Sequence, residues 1–214
     1  MTKIDIVEDN KYLTRSIIIA TGSNPRHLDV KGYQEYWGKG ISTCAVCDGS
    51  LPCYRNVPIA VIGGGDSACE FALHLSKTAS KVYLIHRGEK LSKASSIMVS
   101  KVTNNNKIEI IYNTFIISIN GNEKHISSIT TNNGEINVGG LFVAIGHIPN
   151  TSFLKDLVLL DEFGHIIVND RKQANLPGIY AAGDVEDHLY KQAITAAASG
   201  CIAALEIENY LNRL

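Results

Sequence analysis

The stretch Cys44-Ala45-Val46-Cys47-Asp48-Gly49 holds two thiols separated by two residues, with a carboxylate directly after the second. Such a pair can close a small disulfide ring, supply two metal ligands, or act as two small buried hydrophobes. Structural zinc would need two further ligands, and the sequence has no second C-x-x-C and no paired histidines. A redox pair is chemically coherent. Exchange needs a thiolate, and Asp48 is the candidate for the proton. Cys53, Cys69 and Cys201 lack this setting: Cys69 and Cys201 fall on apolar helical patterns and are expected to be buried, while Cys53 is left open.

The second group is Gly63-Gly64-Gly65-Asp66-Ser67-Ala68, a G-x-G-x-x-A pattern directly after the apolar run Val57 to Ile62. In a dinucleotide fingerprint the first glycine makes the tight turn. Gly65 lets the backbone approach a pyrophosphate, and Ala68 lets helix and strand pack closely. The helix start offers free N–H groups and a partial positive charge to that anion. An NAD site usually carries a carboxylate about 20 residues further on; here His86 and Arg87 stand at the end of the next strand. Arginine can pair with a 2′-phosphate that a carboxylate would repel, so the expectation is NADP(H). Lys90 and Lys93 either help or simply face water. A third group, Gly183-Asp184, follows a strand, where its carboxylate could accept from a ribose or ribityl hydroxyl or could merely begin a turn. His125, His147 and His188 are expected to be surface or satisfied histidines rather than ligands.

The elements that must position these residues alternate as an α/β chain does. Asp66 to Ser76 carries Ala68, Phe71, Ala72 and Leu75 at helical spacing, and Lys81 to His86 is the following strand, which completes a βαβ unit. Ser92 to Val102 is a further helix. Lys107 to Tyr112, Phe115 to Asn120, Ile126 to Thr131 and Glu135 to Val138 form an antiparallel meander. Residues 15 to 22, 140 to 146 and 179 to 184 are short apolar strands ending in glycine, and His165 to Val168 is another strand. Residues 28 to 42 read as a connector containing a domain boundary. Tyr190 to Leu211 is a long helix with Ile194, Ala198, Ile202, Leu205 and Tyr210 near one stripe.

Composition narrows the partners. The chain has 214 residues, 45% hydrophobic content, 20 basic and 21 acidic residues and a net charge of −1. That gives no electrostatic footprint for nucleic acid or an anionic membrane. Five unevenly spaced cysteines do not make a secreted disulfide scaffold, the amino terminus has no signal-peptide pattern, and Ala193 to Leu205 is too short to span a bilayer. A cytoplasmic or equivalent reducing location is expected.

Taken together, Cys44-Ala45-Val46-Cys47-Asp48-Gly49, Val61 to Ala68, Leu84-Ile85-His86-Arg87, Leu141 to Asn150, Ala181 to Val185 and Gln192 to Thr195 resemble the low-molecular-weight thioredoxin reductases over nearly the whole chain. The resemblance implies two Rossmann-like three-layer domains, FAD and NADPH as cofactors, a thioredoxin as partner, and a homodimer. It implies that Cys47 faces the flavin, Cys44 attacks the substrate disulfide and Asp48 is the acid-base group. Gly63, Gly65, Asp66, Ser67, His86 and Arg87 would hold NADPH, and Gly183, Asp184, Gln192 and Ala193 would hold FAD. The implied domains are an NADP(H)-binding domain at residues 31–146, inserted between FAD-domain pieces at 1–30 and 147–214. Two departures stand out. Gly88 replaces the family's second arginine, which weakens the expected phosphate grip, with Lys93 as the nearest substitute. No FAD-pyrophosphate glycine loop precedes Ile17, so the expectation is an incomplete FAD domain and, as the alternative, a protein that binds NADP(H) or carries the disulfide without its own flavin catalysis.

Overall fold

A computed structural model describes residues 2–5, 11–154 and 156–214. Met1 and residues 6–10 of the expected first domain piece lie outside the described residues. The chain forms two compact units, residues 1–24 with 147–214, and residues 25–146. The first unit begins with the antiparallel ribbon β1 (Thr2–Asp5) and β2 (Lys11–Thr14), then β3 (Ile17–Ile19) and β4 (Ser23–Pro25).

The second unit runs β5 (Ile41–Ser42), α1 (Ala45–Asp48), β6 (Pro58–Gly63), α2 (Asp66–Leu75), β7 (Lys81–Ile85), α3 (Ser96–Thr103) and β8 (Ile108–Ile111). Next come β9 (Ile116–Gly121), β10 (Ile126–Thr131), β11 (Gly134–Asn137) and β12 (Gly140–Ala144). Its five-stranded sheet is parallel throughout, in the order β5-β12-β6-β7-β8. A parallel sheet must be covered on both faces, and the alternation along its strands shows how. Ile59 and Val61 of β6, with Val82 and Leu84 of β7, join Ala68, Ala72 and Leu75 of α2 in one core. Ala60, Ile85, Leu141 and Val143 join Ile116, Ile119, Ile126 and Ile129 of the β9-β10-β11 meander in the other. Each fully buried branched side chain contributes about 1.5–3 kcal/mol of hydrophobic stabilisation. Helices, sheet and meander are the three layers.

The last part of the first unit comprises β13 (His147–Pro149), β14 (Ile179–Ala181) and α4 (Ala193–Leu211). β14 pairs in parallel with β3, Ile179 opposite Ile17. Ile179 and Ala181 face a core with Ile19, Leu154, Val158 and Ile166, whereas Tyr180 and Ala182 face Ala203 of α4.

Four expectations are corrected. The segment at 107–112 belongs to the parallel sheet as β8, not to the meander, because Val82 to Ile85 of β7 already offers it a parallel edge. His165 to Val168 makes only an isolated bridge, Leu160 with Ile166. Most of the stripe expected on α4 is not its packed face: the helix buries Ser199 and Ala203, while Ile194 is 77% exposed and Leu205 57%; of the expected residues Tyr210 packs inward, against Tyr180. Cys201 is therefore exposed, whereas Cys69, on the packed face of α2, is buried as expected.

Candidate functional site

Cys44 and Cys47 are joined in a disulfide with their Cα atoms 5.3 Å apart, a span that one turn of helix provides. Cys44 is the extended N-cap of α1, and the Cys47 N–H donates to its Sγ at 3.1 Å. Cys47 is exposed, and Cys44 and Asp48 are half-buried. The Asp48 carboxylate accepts from the Ser42 hydroxyl at 2.6 Å, and the same hydroxyl oxygen accepts the Cys44 N–H at 3.0 Å. Sequence reasoning missed Ser42. Its partner lies six residues ahead across a turn, and no periodicity marks such a bond.

The glycine turn closes β6 and opens α2. A Cβ on Gly63 would sit 2.5 Å from the Ala144 carbonyl oxygen and 2.6 Å from the Ala68 Cβ, so this glycine is required by close packing of β6, β12 and α2. At Gly65 the nearest atom to such a Cβ is the Lys93 carbonyl oxygen at 3.8 Å, so the space above this backbone is open. Gly65 is the N-cap of α2 and provides no capping side chain, so the first N–H groups of Asp66 and Ser67 face that opening. The turn lies at the carboxyl edge of the sheet where β6 is flanked by β7 on one side and β12 on the other, a topological switch point. Open space, unclaimed donors and position all fit a dinucleotide pyrophosphate.

His86 and Arg87 come to the same turn. The His86 ring nitrogen Nδ1 lies 3.1 Å from the Gly63 carbonyl oxygen, and the ring fills the space a side chain on Gly64 would need. Arg87 is exposed. A Cβ on Gly88 would lie 2.9 Å from His86 Nε2, which gives a packing reason for glycine where the family pattern has arginine. Lys93 bridges to Gly65 through the backbone, and the Asp66 carboxylate accepts the Ser95 N–H at 2.6 Å, so the segment 93–95 is fastened to the helix start. Gly49, at the end of α1, packs against His74 and Leu75 in the last turn of α2. The disulfide helix and the glycine turn therefore lie at opposite ends of α2, about 14 Å apart at 1.5 Å per residue. Within this unit the two groups are not brought together.

In the other unit a cavity of about 700 Å³ is lined by Ile18, Gly22, Gly183, Asp184, Gln192 and Ala193, among others. All four residues expected at the second cofactor meet there. Gly183 has φ +78°, and its N–H donates to Ser199 Oγ at 3.1 Å; Ser199 in turn donates to Glu186 Oε1, which Lys172 Nζ approaches to 2.9 Å. This chain fixes the turn that carries Asp184. Asp187 does the same for the start of α4. Burial alone would raise its carboxyl, but the N–H groups of Tyr190, Leu189 and Lys191 and the Thr195 hydroxyl outweigh burial and hold it below its ordinary value. An acceptor at Asp184 and the opening turn of a 19-residue helix are a donor and acceptor set that fits the hydroxyls and phosphates of a flavin dinucleotide. Ser199, Glu186, Lys172 and Asp187 were missed by sequence reasoning, since each acts through a partner in another segment or through backbone.

Among the described residues there is no group of three or more potential metal ligands and no helix long and apolar enough to cross a membrane. Residues 2–200 match the pyridine nucleotide-disulphide oxidoreductase family. The chain is 47% identical to the mitochondrial thioredoxin reductase of Kluyveromyces lactis, over 94% of this chain and 59% of that protein. It is 45% identical to the thioredoxin reductase of Schizosaccharomyces pombe, over 97% of this chain and 66% of that one. Among solved structures, thioredoxin reductase from Giardia duodenalis superposes with a TM-score of 0.88 at 44% identity, covering 96% of this chain and 69% of that chain. The chain thus spans 59% and 66% of the lengths of the two curated relatives.

Proposed function

The chain belongs to the pyridine nucleotide-disulphide oxidoreductase family, and we propose that within it the chain acts as a thioredoxin-disulfide reductase, with NADPH and FAD as cofactors and Cys44–Cys47 as the redox disulfide. The observation that carries this reading is that disulfide itself, exposed at Cys47 and backed by a hydrogen-bonded Asp48, in the unit that also holds the glycine turn. NADPH would lie on Gly63, Gly65, Asp66 and Ser67, with His86 and Arg87 toward its 2′-phosphate. FAD would be held by Gly183, Asp184, Gln192 and Ala193, and when bound it supplies a two-electron relay between a hydride donor and a disulfide.

The chain's own residues carry the thiol chemistry. In the reduced pair, Cys44 Sγ would attack one sulfur of a thioredoxin disulfide, the displaced sulfur leaving as a thiolate that takes a proton. Cys47 would then attack Cys44 Sγ, re-forming the ring and releasing the second thiol. The Cys47 N–H, aimed at Cys44 Sγ, supports negative charge on the attacking sulfur, and Asp48 accepts and returns the proton. We place the protein in a reducing compartment and expect a homodimer. A second reading is favoured by the separation of the glycine turn from the disulfide at opposite ends of α2: the unit binds NADP(H) and carries the disulfide without flavin turnover. The absorption spectrum separates the two. Flavin bands that bleach on adding NADPH support the first, and colourless protein that still binds NADPH after incubation with FAD supports the second.

A further inference from the structure

Ser42 sits where the parallel sheet ends and the disulfide turn begins. It is the last residue of β5, 6% exposed, held in register opposite Phe142 of β12. Its hydroxyl has one proton and two lone pairs. Three groups of the site surround it: Asp48 Oδ2 at 2.6 Å, the Cys44 N–H at 3.0 Å and the Cys44 carbonyl oxygen at 3.4 Å. Among the described residues no other side chain donates to the Asp48 carboxylate.

We propose that Ser42 is the positioning residue of the disulfide site, tying the Asp48 carboxylate to the Cys44 backbone so that it keeps its place in the disulfide turn whether or not it carries a proton. The proposal rests on the reading of Cys44, Cys47 and Asp48 as a redox site. With Asp48 charged, the Ser42 proton goes to Oδ2, and one lone pair receives the Cys44 N–H. With Asp48 protonated, its own O–H donates to the second lone pair, and the Ser42 proton turns to the Cys44 carbonyl oxygen. Every donor has an acceptor in both states, and only hydrogens move. The thiol chemistry requires both states. Reduction by a dithiol breaks the S–S bond and adds two electrons and two protons, the dithiol becoming a disulfide. For Cys44 to attack again, its proton passes to Asp48, and that proton later goes to the leaving thiolate. Among the described residues, Tyr54 of the following turn is an ionisable group whose phenol pKa burial raises and the Asp48 charge helps to raise, and it makes no hydrogen bond to the carboxylate.

The test is a double-mutant cycle on the full chain. After reduction with dithiothreitol and its removal, the rate at which Cys44 is alkylated by iodoacetamide at neutral pH is followed by peptide mass spectrometry, which separates it from the exposed Cys47 and Cys201, with Cys53 as internal reference and thermal melting as a check of fold. Ser42→Ala is expected to slow Cys44 about tenfold, and Ser42→Thr, which keeps the hydroxyl, to react within about twofold of the parent. Asp48→Asn should slow the reaction to a similar degree, and adding Ser42→Ala to it should cost less than about twofold more. Equal slowing by Ser42→Ala in both backgrounds, or a Ser42→Ala rate like the parent's, overturns the proposal. A parent chain whose Cys44–Cys47 pair is not opened by the dithiol overturns the redox reading and the proposal together.

Discussion

Replacing Gly65 by alanine separates a nucleotide-binding turn from a structural one. Gly65 is extended, with φ −110° and ψ −175°, a conformation any residue adopts, and its added Cβ would have no atom closer than 3.8 Å. The fold should therefore accept it, at a cost of at most about 1 kcal/mol for changing an N-cap from glycine to alanine. The methyl would occupy the open space above the Asp66 and Ser67 N–H groups. If a pyrophosphate lies there, displacing one charge-assisted hydrogen bond costs about 1.5–3 kcal/mol, or about 10- to 150-fold in affinity. NADPH binding is read by the change in its fluorescence on titration, and stability by urea denaturation of the same sample. Weak NADPH binding with a near-native urea midpoint is the expected pair of results. Unchanged affinity in a well-folded Gly65→Ala protein would refute the assignment of this turn to the dinucleotide.

Gly63→Ala should behave in the opposite way, because its Cβ meets a strand carbonyl and a helix Cβ that cannot both yield; a loss of about 1–3 kcal/mol in urea denaturation is expected. Cys47→Ser should abolish disulfide reduction and leave NADPH affinity unchanged in the same fluorescence titration. His165 is buried, with Nδ1 at 3.3 Å from Asp161 Oδ2 but out of hydrogen-bond alignment, and burial, despite Asp161, pulls its pKa below the usual 6.5. Its folded-state value being the lower one, its contribution to stability is complete above about pH 6.5 and is lost as pH falls through the folded value. His165→Gln should flatten stability against pH in that window, as read by urea midpoints from pH 7.5 downward.

The βαβ unit around Gly63 could be read from the sequence because strand, turn and helix each carry a local signal, a fully apolar run, glycines and 3.6-residue spacing, that agree. Local signals fail where the choice depends on distant partners. The run at 107–112 has good strand composition, yet nothing in it distinguishes a meander from the free edge of β7. On α4 the large apolar side chains suggested the packed face, whereas the sheet takes Ser199 and Ala203, whose small size lets the helix approach Tyr180 and Ala182. The site shows the same division. The thiols and glycines announce themselves by type and spacing, while Ser42, Ser199 and Asp187 act by single hydrogen bonds that only the folded backbone brings into reach.

The central claim, that Cys44–Cys47 carries electrons from NADPH to a protein disulfide, is tested most directly by supplying the chain with FAD, NADPH and oxidised thioredoxin. NADPH oxidation is followed at 340 nm while the thiol state of each protein is read by alkylation and mass spectrometry. One thioredoxin disulfide is expected to be reduced per NADPH oxidised, with Cys44 and Cys47 alkylated during turnover and no reduction by Cys47→Ser. NADPH oxidation that leaves thioredoxin and the Cys44–Cys47 bond untouched, or full turnover by Cys47→Ser, would contradict it.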